Sequence, residues 1–121
     1  MLWDYDDVTI RNFGRMKAYR RHFDAGGKMY LSEGTIIVAS QEQVSCNLGA
    51  EAAILNLKNG VYYGLDPVGT RVWNLLQQPR TFAELRDILI TEYDVDAARL
   101  ESDMLDLLSR LAGNQLVEIS G

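Results

Sequence analysis

Cysteine, histidine and proline are nearly missing from this 121-residue chain, which holds one Cys, one His and two Pro. A lone Cys46 cannot close an internal disulfide, and Cys46 with His22 offers too few soft ligands for an ordinary zinc site, so neither a disulfide framework nor a metal is expected. No apolar run reaches the ~20 residues of a membrane span. The start Met1-Leu2-Trp3-Asp4-Tyr5-Asp6-Asp7 lacks the basic and apolar regions of a secretory signal, and a cytoplasmic protein is the expectation. No nucleophile stands beside a base: His22 lies in an arginine-rich stretch and reads as an exposed imidazole, while Cys46, beside Asn47 and Leu48, reads as a small semi-buried thiol between strands. Gly26-Gly27 is too short for a phosphate loop. No catalytic residue, cofactor or metal follows from the sequence.

What remains is enough for one folded domain, since 47% of the residues are hydrophobic and 24% charged. The charge is unevenly placed. Residues 1–29 carry six Lys/Arg against four Asp, a balance of +2, whereas residues 30–121 carry six Lys/Arg against thirteen Asp/Glu, a balance of −7. An acidic body repels phosphate backbones, which argues against nucleic acid as its partner. The division expected is a basic N-terminal arm over 1–29, mobile or ordered by a partner, with Phe13, Met16, Arg20 and Phe23 at loosely helical intervals, and a folded domain over 30–121. Met29 is an alternative start.

Thr35 to Ala39 is β-branched and short and predicts a first strand, followed by a polar stretch from Ser40 to Gln43. Ala50 to Leu57 predicts a second, with Ala53, Leu55 and Leu57 alternating onto one face. Asn59-Gly60 predicts a tight type I′ hairpin turn into a third strand, Val61-Tyr62-Tyr63-Gly64-Leu65, which would set Leu57 close to Tyr62. Asp66-Pro67 then opens a helix with the apolar positions Val68, Val72, Trp73, Leu75 and Leu76, stopped by Pro79. Thr81 and Glu84 form a capping box for a second helix to about Glu92, burying Phe82, Leu85, Ile88 and Leu89. Asp96 caps a third, with Leu100, Met104, Leu107, Leu108 and Leu111 on its inner side, Glu101, Asp103 and Asp106 on its outer side, and Gly113-Asn114 as its stop. Leu116 to Ile119 closes the chain as a strand. The order is that of a winged-helix-like α+β domain: a three-stranded antiparallel sheet, three helices and a short terminal strand.

In a three-strand meander, Val61 to Leu65 is an edge whose outer N–H and C=O groups want a partner. An extended peptide can add there as a further strand. The alternative is that the chain's own arm or a second copy shields it.

The stretch from Ala53-Ile54-Leu55-Asn56-Leu57 through Val61-Tyr62-Tyr63-Gly64-Leu65 and Asp66-Pro67-Val68-Gly69 to Trp73-Asn74-Leu75-Leu76 resembles the PqqD family. The likeness continues through Pro79-Arg80-Thr81 and Glu92-Tyr93-Asp94-Val95 to Leu116-Val117-Glu118-Ile119, covering residues 33–119. What the resemblance implies is a non-catalytic recognition element for ribosomally made, post-translationally modified peptides, in which the precursor's leader adds to the third strand and packs on the third helix. Carried over by position, the peptide-binding residues are Val61, Tyr62, Tyr63, Gly64 and Leu65 on the strand and Leu100, Met104, Leu107 and Leu111 on the helix. Asp103 and Arg110 are placed for polar contacts. The chain most resembles the free-standing lasso-peptide type, whose partners are the precursor leader and a leader peptidase or other modifying enzyme. The relative serving pyrroloquinoline quinone synthesis is the alternative within the family, and a monomer or a domain-swapped dimer is expected. From another class, a winged-helix DNA-binding protein would insert the third helix into DNA. That helix carries Arg99 and Arg110 against Glu101, Asp103 and Asp106, which is poor for the task.

Overall fold

The computed structural model describes residues 2–4 and 31–120. Strand β1 is Leu2–Asp4, β2 Ile36–Ala39, β3 Gln43–Leu48, β4 Glu51–Asn56 and β5 Tyr62–Leu65; helix α1 is Pro67–Leu75, β6 Arg80–Thr81, α2 Phe82–Glu92, α3 Ala97–Gly113 and β7 Val117–Ser120. Two antiparallel sheets result, one in the order β1-β5-β4-β3 and one in the order β6-β2-β7. Among the described residues, the α+β, winged-helix-like outline with three helices and a terminal strand is therefore the architecture found.

Its meander is not composed as expected. The predicted first strand pairs with the closing strand, Ile37 opposite Ile119, and not with Ala50 to Leu57. Its place is taken by β3, a segment the sequence suggested was a link, which pairs with β4 from Gln43↔Asn56 to Leu48↔Glu51 across a turn where Gly49 holds φ +67. Cys46 therefore lies on a strand and is exposed, not semi-buried in a link.

The helices begin where capping chemistry places them. Asp66, Thr81 and Asp96 accept from the backbone N–H of Gly69 at 2.8 Å, Glu84 at 3.1 Å and Arg99 at 2.8 Å. The end of α3 differs from expectation, because Gln115 and not Gly113 or Asn114 takes the left-handed conformation, at φ 58. Gln115 N–H donates to Ala112 C=O and Leu116 N–H to Leu111 C=O, the paired bonds of a Schellman stop, and burial of Leu116 holds it.

One core joins both sheets to the helices. Ile37 and Ile119 come from the second sheet, Ile54, Tyr63 and Leu65 from the first, and Trp73, Leu85, Leu89, Met104, Leu107 and Leu111 from the helices. Trp73 is buried yet keeps its indole N–H satisfied, donating to Ser45 Oγ at 3.2 Å. Arg71 clamps α1 to α2 through two bonds to Glu92, at 2.9 and 2.8 Å, and that hydrogen bonding raises the Arg71 pKa and lowers that of Glu92. Arg86, bonded first to Glu33 and then to Asp87 and Glu101, is likewise raised.

The expected arm over residues 1–29, with His22 and the positions from Phe13 to Phe23, falls outside the described residues except for Leu2–Asp4. No helix among the described residues is long and apolar enough to cross a membrane.

Candidate functional site

The hairpin that delivers β5 is built differently from a two-residue turn. Gly60 is left-handed at φ +71, but Asn59 is not, so the type I′ turn is ruled out. Asn56 organises a longer loop instead: its Oδ1 accepts from the N–H of Lys58 at 2.8 Å and Asn59 at 3.4 Å, its C=O accepts from Gly60 N–H, and Asn59 Oδ1 accepts from Val61 N–H at 3.0 Å. The longer loop moves the register by two residues. Tyr62 faces Leu55, not Leu57.

That register decides which backbone groups β5 offers outward. Asn56 N–H donates to Val61 C=O at 3.0 Å, which marks 56 and 61 as a bonded pair. Antiparallel bonding alternates, so Ile54↔Tyr63 and Ala52↔Leu65 are the next bonded pairs, and the N–H and C=O of Tyr62 and Gly64 turn away from β4 to the outer border. Side chains alternate as well. Tyr63 and Leu65 point into the core, both 0% exposed, while Tyr62 is 55% exposed on the other face and Gly64, on that same face, is buried. That outer face carries an apolar row in register, Val44 opposite Leu55 opposite Tyr62.

Asn114, the C-cap of α3, holds β5 and β4 to the helix. Its Oδ1 accepts from the Tyr63 hydroxyl at 3.1 Å, its C=O accepts from Asn56 Nδ2 at 2.8 Å, and its own Nδ2 donates to Arg110 C=O at 2.8 Å. Asn56 and Asn114 were both missed as site builders; the signal available was two asparagines at the borders of a predicted strand and a predicted helix, whose amides bond backbone groups there. Asn114→Ala removes an acceptor of the Tyr63 hydroxyl and the donor to Arg110 C=O, and is expected to cost about 1–3 kcal/mol, read as a lowered midpoint in denaturant unfolding.

The border of β5 does not stand open. Leu2–Asp4 pairs with it antiparallel, Leu2↔Leu65, Trp3↔Gly64 and Asp4↔Tyr63, and the same strand touches α3. Of the alternatives for this edge, shielding by the chain's own N-terminal residues is the state observed.

The helical half of the candidate site is less exposed than a groove wall. Leu100, Met104, Leu107 and Leu111 are core residues, none more than 6% exposed. On the outer side, Asp103 faces Arg99 at 3.9 Å and Arg110 faces Asp106 at 3.5 Å, weak surface pairs along one helix. The structure thus brings β5 and the C-terminal end of α3 together through Tyr63 and Asn114. Asp103 remains at the solvent face. No three His, Cys, Asp or Glu side chains among the described residues are grouped to hold a metal.

The described residues thus form a small α+β domain in which β5 is tied to the end of α3. Residues 51–117 match the model of the family described as coenzyme PQQ synthesis protein D (PqqD), and the chain belongs to that family. Among solved structures it is similar to "TbiB1 in Complex with the TbiA(beta) Leader Peptide", at 38% identity and a TM-score of 0.64, over 67% of this chain and 94% of that one. No curated protein matches.

Proposed function

We propose that this protein is a non-catalytic adaptor of the lasso-peptide type, which binds the leader of a ribosomally made precursor and presents it to a modifying enzyme such as a leader peptidase. The leader adds as a strand along Val61–Leu65, bonding the outward N–H and C=O of Tyr62 and Gly64, and its side chains divide between the α3 side and the outer face beside Tyr62. Asp103 and Arg110 make polar contacts at the rim. The protein does no bond chemistry; it acts by holding precursor and enzyme together at raised effective concentration. It works in the cytoplasm, as a monomer or a domain-swapped dimer.

The observation that carries this reading is the 38% identity with a protein solved on a leader peptide, over two thirds of this chain. The outward-turned amides of Gly64 supply the chemistry.

The TbiA(beta) leader peptide is a suitable probe. Calorimetric titration should give an affinity on the order of micromolar or tighter, about −8 to −10 kcal/mol. Gly64→Pro deletes the outward N–H without touching a β4–β5 bond, because Gly64 is not in a bonded pair with β4. It should weaken binding at least ~10-fold, the lost bond and the ring's bulk acting together, while circular dichroism still reports a folded protein that has lost only the pairing of Gly64 with Trp3. Undiminished binding by a folded Gly64→Pro variant would exclude this border.

A further inference from the structure

We propose that the chain's own N-terminal strand is an internal competitor for the leader: Leu2–Asp4 occupies the β5 border in the resting protein and must leave before a leader can pair there. The inference rests on the reading of that border as the leader site, and it adds a regulatory step to it.

The pairing falls on the groups a visiting strand would need. Gly64 turns its N–H and C=O outward, and the residue opposite is Trp3, so Trp3 and Gly64 form the bonded pair at the centre of the added strand. Leu2 and Asp4 flank it opposite Leu65 and Tyr63, and the strand lies against α3. A fourth strand in this sheet thus occupies the border between β5 and α3, and two strands cannot share one row of amides. The occupant is also tethered, so it competes at an effective concentration no free peptide matches at low dose.

Three residues make few bonds, so the competitor is weak enough to displace. Apparent leader affinity is the intrinsic affinity multiplied by the fraction of molecules with an empty border, and a strand whose net hold equals that of about one hydrogen bond keeps that fraction at about 0.1–0.3. Freeing the border should then tighten leader binding about 3–10-fold.

Trp3→Pro in the full chain tests this, since proline removes the N–H that Trp3 directs at Gly64. Two readouts are taken, amide hydrogen exchange at Gly64 without ligand and titration with the TbiA(beta) leader peptide. The proposal expects a protected Gly64 amide in the parent, faster exchange in Trp3→Pro, and a 3–10-fold gain in leader affinity. A synthetic peptide of residues 1–6 should restore protection when added to the variant at high concentration. Equal exchange and equal leader affinity in both proteins overturn the internal competitor while leaving the leader site standing. Faster exchange in the variant with no leader binding by either protein overturns the leader reading, and with it the competition, while keeping the self-pairing. Protection that rises with protein concentration, together with a dimer in sedimentation, overturns the internal form by showing that a second copy donates the strand.

Discussion

Leu107→Asp is expected to leave the protein unfolded at neutral pH. Leu107 is 0% exposed at the centre of α3, in the same core as Trp73, Leu85 and Ile54. Removing the leucine forfeits about 2–3 kcal/mol of apolar burial, and the aspartate must either ionise without a buried partner or be held neutral against its ordinary pKa. Either choice adds several kcal/mol. The sum, about 5 kcal/mol or more, is comparable to the whole stability of a domain this size. Loss of the cooperative thermal transition and of near-ultraviolet dichroism would register it. A folded Leu107→Asp protein would mean that this face of α3 is open to solvent, and the core described above would be wrong at its centre. The same reasoning makes the inner leucines of α3 unsuitable probes of leader binding, because their loss reports on folding first.

Much of the fold was legible because its signals are local. Asp66, Thr81 and Asp96 each precede an apolar stripe and carry an oxygen that reaches a free amide three residues on, so the three helices could be placed almost to the residue. What could not be read depends on partners remote in sequence. Segment Gln43–Leu48 alternates, but its apolar positions Val44, Cys46 and Leu48 face outward while Ser45 faces inward to meet Trp73. A strand patterned in that inverted sense does not announce a core face. The hairpin register turned on Asn56, whose side chain closes a longer loop than Asn59-Gly60 suggests. Nothing in those letters distinguishes a capping asparagine from a strand residue. At the site, the strand Val61 to Leu65 was readable from its tyrosines and from the turn before it. Its occupant was not, because Leu2-Trp3-Asp4 is too short to carry a period.

Prolines at neighbouring positions of β5 should behave oppositely, and the contrast checks the register on which the candidate site depends. Tyr63 forms a bonded pair with Ile54, so Tyr63→Pro removes a donor from the interior of the sheet. It also deletes a fully buried aromatic whose hydroxyl is anchored on Asn114, a loss worth about 3–5 kcal/mol by itself. The expected result is a protein with little or no folded population at 37 °C, visible as a collapsed melting transition. Gly64→Pro, one residue on, removes only the donor that faces the three-residue β1 and should lose far less stability than Tyr63→Pro. Were the register shifted by one residue, the two variants would exchange behaviour: Gly64→Pro would unfold the sheet, and the amides now assigned to the border would belong to β4. An added strand would then meet the groups of Tyr63 instead of Gly64. The relative stability of these two variants, measured before any peptide is added, therefore decides which backbone atoms a leader can reach.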